Sequence, residues 1–169
     1  QRSARGLRDG PHLADAGLNP KVLPGGTGLT CDFGPEHGPR IALRADMDAL
    51  PIEETSGLPF ASTNPGLMHA CGHDIHTTTL LGVAAVLQEL SPQLAGTVKL
   101  VFQPAEEGLG GMRAMLDDGL MEGPKIDLAL AFHNHPELPV GTFGYVHGAC
   151  LAASDRFDIV VRGKSGHAA

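Results

Sequence analysis

Strand-like and helix-like apolar patterns alternate along this chain, and that alternation limits the folds it can adopt. The clearest helix is predicted over residues 73–90, and a strongly apolar strand is predicted directly after it, over residues 97–102. The apolar side chains at helical spacing are Leu80, Leu81, Ala84, Leu87 and Leu90. Such alternation is typical of α/β proteins, so we expect an open, mixed sheet flanked by helices.

The remaining elements follow from the same patterns. Shorter helices are predicted over residues 3–16 and 111–118. The segment 46–72 is long and irregular, and at that length a functional role is expected. Further strands are predicted over residues 27–33, 40–45, 127–132, 141–146 and 156–161.

Charge and composition exclude several classes of function. The formal net charge is −7 and no basic stripe is visible, so neither nucleic acid nor an anionic membrane is an expected partner. The longest apolar run, residues 80–87, is too short to cross a bilayer. No signal peptide is visible over residues 1–15, and three widely spaced cysteines do not form a disulfide framework. We therefore expect a cytoplasmic protein.

Side chains that can bind a metal follow several of the predicted strands or precede the main helix. In an open α/β sheet the ligand crevice borders the carboxyl ends of the strands, so we expect these residues to converge on one edge of the sheet. They are Asp46, Asp48, Cys71, His73, Glu106, Glu107 and His133.

The chemistry of this set suits a metal-dependent hydrolase. Thiolate, imidazole and carboxylate from Cys71, His73, Glu107 and His133 are ligands that zinc-like divalent ions prefer. A ligand that bridges two ions would build a two-metal site, which lowers the pKa of bound water to about 7 and polarises a carbonyl group. Glu106 would then act as the general base. Two adjacent carboxylates can hold these separate roles when a metal neutralises one of them.

Each residue also has a purely structural interpretation. Adjacent glutamates at a helix entrance favour the positive end of its dipole, and a lone Cys71 before a helix is commonly a small core residue. His133 could be a hydrogen-bonded core histidine, and Asp46 and Asp48 could form turns. These explanations would all have to hold together at several strand ends, so we favour the metal site.

Five ordered segments carry a family resemblance that covers nearly the whole chain. The chain resembles the metal-dependent N-acyl-amino-acid amidohydrolases, the group that contains hippurate hydrolase and plant indole-acetyl-amino-acid hydrolases. The matching segments are ALRADMDALPIEE (42–54), MHACGHDIHTTTLLGVA (68–84), VFQPAEEG (101–108), HNHPELPVGTFG (133–144) and GKSGHAA (163–169).

The resemblance implies a zinc-exopeptidase-like catalytic domain over residues 1–152. Residues 153–169 would begin an inserted α+β lid or dimerisation domain. Members of this family are more than twice as long. We therefore expect a fragment with an incomplete, four-ligand site, which is poorly active and associates through exposed strand edges.

The resemblance also implies roles for individual residues. Cys71 would be the bridging ligand of two divalent ions, His73, Glu107 and His133 the other ligands, and Glu106 the general base. The two ions could be manganese, zinc, cobalt or nickel.

Five further residues receive roles by the same resemblance. His167 matches a lid histidine that reaches substrate in the partner subunit's site. Asp48 and Asp74 would orient ligands. His76, like His69, would stabilise its loop rather than bind metal.

The implied function is hydrolysis of the amide bond of N-acyl amino acids by a homodimeric or homo-oligomeric protein. A dipeptidase or carboxypeptidase of the same superfamily is the first alternative, although the Cys-x-His-x-x-His form favours the amidohydrolase branch by resemblance. The second alternative is a non-catalytic metal-binding protein. Glu106 and Glu107 together argue against it, because binding alone needs one of them.

Overall fold

The chain divides into two compact units, the first ending at Asn134 and the second beginning at His135. The computed structural model describes residues 11–26, 28–108, 110–153, 155 and 157–167. All helices and strands assigned among these residues lie in the first unit. The predicted boundary between residues 152 and 153 concerns the complete protein and stays a prediction.

A mixed sheet forms the centre of the first unit. Its strand order is β1-β2-β4-β3-β5, with β3, β4 and β5 parallel and the other pairs antiparallel. The register of the parallel part is shown by Leu43, which pairs with Leu100 on one side and Leu130 on the other. The strands are β1 Lys21–Val22, β2 Leu29–Phe33, β3 Arg40–Asp46, β4 Thr97–Gln103 and β5 Leu128–Ala131.

Three α-helices and a 3₁₀ turn accompany the sheet within the described residues. They are α1 Pro11–Asp15, α2 His73–Glu89, the turn Ser91–Gln93 and α3 Gly111–Asp117. Among them, no helix combines the length and apolar character needed to cross a bilayer. The main helix, α2, buries a single stripe, which consists of His73, His76, Leu80 and Ala84. The polar members of this stripe come first, so the helix presents histidines near its start and apolar groups further along.

The two faces of β4 belong to two different apolar clusters. Leu100 and Phe102 are fully buried in the same cluster as Leu80 of α2. Val101 lies in the other cluster with Met115 of α3. Alternate residues of a strand point to opposite faces, so β4 is covered on both sides and holds the centre of the core.

The mixed sheet predicted from sequence is confirmed, and most element boundaries agree within one or two residues. Most of the helix predicted over 3–16 lies outside the described residues. The strands predicted over 141–146 and 156–161 are wrong in this chain. Their described residues are exposed and form no strand, because a strand requires a neighbouring strand to bond with. The short β1 had not been predicted.

Candidate metal centre

The parallel arrangement of β3, β4 and β5 brings the candidate ligands to one edge of the sheet. Asp46 ends β3, Glu106 and Glu107 follow β4, and His133 follows β5. The helix α2 begins at this edge because Gly72, in the left-handed conformation with φ of 84°, turns the chain into its first turn. Cys71 and His73 flank that glycine, and the structure therefore joins four separate segments at one place.

Asp48 holds the two glutamates in position through their main chain. Its two carboxylate oxygens accept hydrogen bonds from the backbone N–H groups of Glu106 at 3.0 Å and Glu107 at 3.1 Å. The preceding residue, Ala105, has a positive φ of 53°, which is uncommon for a residue with a side chain. This strained turn and the buried Asp48 together fix where the two glutamates start.

His73 provides the test of whether the site fits a metal ion. Both of its ring nitrogens are buried, and neither makes a well-directed hydrogen bond with a described residue. Around Nε2 lie carboxylate oxygens of Asp46 at 3.7 Å, Glu107 at 3.7 Å and Glu106 at 4.0 Å. Two ligand atoms about 2.1 Å from a tetrahedral ion are separated by about 3.4 Å, so these spacings suit donors that share a cation. On the other side of the ring, Asp48 Oδ1 lies 3.3 Å from Nδ1.

Cys71 and His133 form the other side of the cluster. The Cys71 Sγ atom lies 3.4 Å from Nε2 of His133, and Nδ1 of His133 donates to the backbone oxygen of Asn134 at 2.7 Å. Burial, together with the Glu107 and Glu106 carboxylates, raises the pKa of the Cys71 thiol to about 11. The site therefore has a negative electrostatic potential, which disfavours the thiolate. A bound cation would instead lower the pKa of the Cys71 thiol.

Asp46 and His76 form a satisfied pair beside this cluster. His76 Nδ1 donates to Asp46 Oδ1 at 2.6 Å, and Arg44 lies 3.0 Å from Asp46 Oδ2. Burial acts to raise the pKa of Asp46, but the His76 hydrogen bond and the Arg44 charge outweigh it and lower that pKa. His76 Nε2 contacts Asn134. Both residues thus have partners of their own, in contrast to His73.

Sequence reasoning missed Asn134 and Arg44, which complete this pair. Asn134 was visible in the HNHP segment, but a side-chain amide between two histidines carries no distinctive signal of its own. Arg44 lies within strand β3, and the alternation of side chains along a strand gives the face on which Arg44 lies but not the residues that it contacts. Their importance becomes visible once the two segments are seen side by side.

Three residues with predicted roles are placed away from this cluster or in the other unit. Asp74 and His69 are exposed, at the first turn of α2 and in the preceding loop. His167 is exposed within the second unit. The assignments of Asp74 to ligand orientation, His69 to loop stability and His167 to substrate binding stay predictions.

Three groups of side chains among the described residues could hold a divalent ion. They are Cys71 with His73 and His133, His73 with Glu106 and Glu107, and Asp46 with His73 and His76. Fold and site thus define an α/β protein with a candidate metal centre at the carboxyl edge of its sheet. The chain belongs to the Peptidase family M20/M25/M40, which matches residues 42–165.

Individual relatives agree with this assignment. The chain is 51% identical over 144 residues to N-acetyl-L-cysteine deacetylase of Bacillus subtilis, covering 85% of this chain and 34% of that protein. It is 47% identical over 136 residues to thermostable carboxypeptidase 2 of Saccharolobus solfataricus, covering 79% of this chain and 34% of the relative. The chain therefore spans about a third of the length of these curated relatives.

A solved structure has the same fold. It is a Bacillus subtilis protein described as a dinuclear metal-binding peptidase from the M20 family, with a TM-score of 0.75 and 42% sequence identity. The match covers 83% of this chain and 39% of that one. It agrees with the expectation, drawn from the resemblance, of the catalytic-domain fold of this family.

Proposed function

We propose that the complete protein is a metal-dependent hydrolase that cleaves the amide bond of N-acyl amino acids. The observation that carries this proposal is the cluster around His73, whose buried ring nitrogens face carboxylates from two strand ends without well-directed hydrogen bonds to the described residues. The 51% identity to a protein named N-acetyl-L-cysteine deacetylase supports the substrate class.

Cys71, His73, Glu107 and His133 would hold two divalent ions. When bound, such ions supply Lewis acidity toward a water molecule and a substrate carbonyl. The mixed sulfur, nitrogen and oxygen donors suit manganese, zinc, cobalt or nickel, and availability decides among these as much as affinity does. The dinuclear description of the solved structure supports the number of ions.

Glu106 would be the general base. Its side chain is 39% exposed, more than that of Glu107 at 29%, so it can meet both water and a substrate. The backbone hydrogen bond to Asp48 holds its main chain in place. In this role Glu106 takes a proton from the attacking water and passes it to the leaving amine as the amide C–N bond breaks.

Removal of the Glu106 carboxylate tests this mechanism. In the complete protein, Glu106→Gln should lower kcat on N-acetylcysteine by about a hundredfold or more and leave the bound metal content unchanged. The matched control is Glu36→Gln, an exposed glutamate away from the cluster, which should retain parental activity. An active Glu106→Gln variant with its metal still bound would contradict the assigned base.

A carboxypeptidase or dipeptidase is the second candidate, because a relative at 47% identity is named a carboxypeptidase. The two activities differ in the group on the acyl side of the scissile amide. A panel of N-acetyl and N-benzoyl amino acids beside dipeptides separates them. Free amino acid should appear from the acyl compounds, chelator should abolish its release, and a preference for dipeptides would favour the second candidate.

A homodimer or homo-oligomer is also part of the proposal, with His167 reaching substrate bound to the partner subunit. Two inactive variants test it directly. Mixed Glu106→Gln and His167→Ala proteins should recover activity that neither has alone, because one of the mixed sites carries both intact residues. Absence of recovery in a confirmed mixed oligomer would remove His167 from the mechanism.

A further inference from the structure

We propose that Asn134 is a positioning residue that sets the placement of Cys71 and His133 relative to each other. The inference rests on the proposed function, because it treats these two side chains as metal ligands. It is carried by the continuous series of contacts that links Arg44, Asp46, His76 and Asn134 to His133.

The series begins at the carboxyl end of β3. Asp46 is 2% exposed and receives Arg44 on one carboxylate oxygen and His76 on the other. Its backbone oxygen also accepts a hydrogen bond from the Thr77 hydroxyl at 2.9 Å. The first turn of α2 is therefore tied to the sheet at two adjacent positions. A buried hydrogen bond to a charged group is stronger than one between neutral groups, so the contacts of Asp46 hold His76 and Arg44 in place.

Asn134 contacts the second ring nitrogen of His76. The His76 Nε2 atom lies 2.7 Å from the Asn134 side-chain oxygen and 3.2 Å from the backbone nitrogen of the same residue. The single Nε2 atom can bond only one of these two groups at a time, and either bond joins His76 to Asn134. The segment after β5 is held against α2 by these contacts, although His133 itself is exposed.

The Asn134 amide also occupies the space over Gly72. A Cβ atom at Gly72 would overlap this amide, and the left-handed φ of 84° already favours glycine there. Gly72 lies between Cys71 and His73, so the amide packs against the short segment that carries both of these ligands. Asn134 therefore touches the entry to α2 at two places, the glycine and His76.

The final contact sets the orientation of the His133 ring. Nδ1 of His133 donates to the backbone oxygen of Asn134 at 2.7 Å, which leaves Nε2 directed toward Cys71 Sγ at 3.4 Å. In metal sites, the partner of the second ring nitrogen commonly fixes the tautomer and angle of a ligating histidine. Here that partner is itself held by His76, so loss of the Asn134 side chain should loosen the separation of Cys71 and His133.

The same contacts distinguish Asp46 and His76 from the metal ligands. They share a possible metal-binding group with His73, but their polar atoms are already engaged by Arg44, Asn134 and each other. His73 has no comparable partner. Asp46, His76 and Asn134 therefore act through the ligands.

Cobalt binding tests the proposal without relying on turnover. Co²⁺ is titrated into the metal-free complete protein, with the sulfur-to-cobalt charge-transfer absorption reporting on Cys71. Asn134→Ala should weaken Co²⁺ binding by about tenfold to a hundredfold, the usual effect of removing a group that orients a metal ligand. It should also reduce this absorption. Asn64→Ala is the matched control, since Asn64 lies in an exposed loop and bonds the Ser62 hydroxyl through its backbone nitrogen and oxygen, which the substitution keeps.

A conservative variant separates positioning from loss of fold. Asn134→Asp keeps a planar group of the same size with an oxygen beside His76, and should bind Co²⁺ within about threefold of the parent. Thermal unfolding of each metal-free variant shows whether the fold is retained. Should Asn134→Ala fail to fold, Asn134→Ser takes its place, because its shorter side chain also removes the oxygen that lies beside His76. Parental Co²⁺ affinity in a folded Asn134→Ser variant would then overturn the proposal.

Cys71→Ala distinguishes this failure from failure of the proposed function. It should abolish the sulfur-to-cobalt absorption. If Cys71→Ala loses the absorption while Asn134→Ala retains both absorption and affinity, the metal site stands and the positioning role is wrong. If Cys71→Ala changes nothing, the metal assignment itself is wrong, and the positioning role falls with it.

Discussion

The units before and after residue 134 both contain large apolar side chains, but they bury them very differently. In the first unit Leu100 and Phe102 are fully buried between strands and helices. In the second, Phe143 is 94% exposed and Val161 is 88% exposed. An apolar pattern is therefore necessary for a core but does not create one, because burial depends on neighbouring elements that the local sequence does not contain.

Truncation of one side chain in each unit should show this difference most strongly. Phe102→Ala removes a fully buried ring from the central strand and should lower the free energy of unfolding by about 3–5 kcal/mol. Val160→Ala, at a position 75% exposed, should change it by less than about 0.5 kcal/mol. Urea denaturation followed by circular dichroism measures both. Equal losses would mean that the second unit has a core of its own.

A pair of glycines tests whether the entry to α2 belongs to the tightly packed region. Gly72→Ala should destabilise the chain by about 3 kcal/mol, since the new Cβ has an unfavourable positive φ and also overlaps Asn134. Gly57→Ala has a similar φ of 67° with no atom within 4 Å, so backbone strain alone should cost about 1 kcal/mol. The difference between the two unfolding free energies isolates the contact with Asn134, and equal values would show that this contact is unimportant.

The same contrast explains which predictions from sequence succeeded. Helix α2 and strand β4 carry strong local patterns, and they were predicted nearly to the residue. The edge occupied by Asp46, Glu106, Glu107 and His133 was predictable because parallel strands share a direction. These inferences needed no knowledge of specific contacts.

The predictions that failed depended on contacts between distant segments. The apolar residues of 141–146 alternate as strands do, but they have no strand partner among the described residues. Asn134 was not identified because its role depends on Gly72 and His76, both about sixty positions earlier. Pairing and side-chain networks of this kind cannot be deduced from local periodicity.

The cysteines allow burial to be compared in the two units by chemical labelling. In the metal-free chain, Cys150 is exposed and should react with iodoacetamide first, whereas burial raises the pKa of Cys31 and should make it the slowest. Cys71, with its pKa raised from 9.0 to about 11, should have about a hundredfold less thiolate near pH 8 than an unshifted thiol. A raised pKa favours the neutral thiol, so the rate at which iodoacetamide labels Cys71 should increase about tenfold per pH unit up to about pH 11. Peptide mass spectrometry resolves the three sites, and labelling of Cys31 as fast as Cys150 would contradict a protected sheet.

The smallest effect is expected at an exposed position inside the well-packed unit. Arg113 of α3 forms an ion pair with Asp117 at 3.1 Å, but its side chain is 81% exposed. Water and salt screen such pairs, so Arg113→Ala should change the unfolding free energy by less than about 0.5 kcal/mol, as Val160→Ala does. Agreement between these two variants would show that exposure, rather than membership of one unit, determines the response. A loss above about 1 kcal/mol at Arg113 would instead mean that the whole first unit responds as one cooperative structure, surface included.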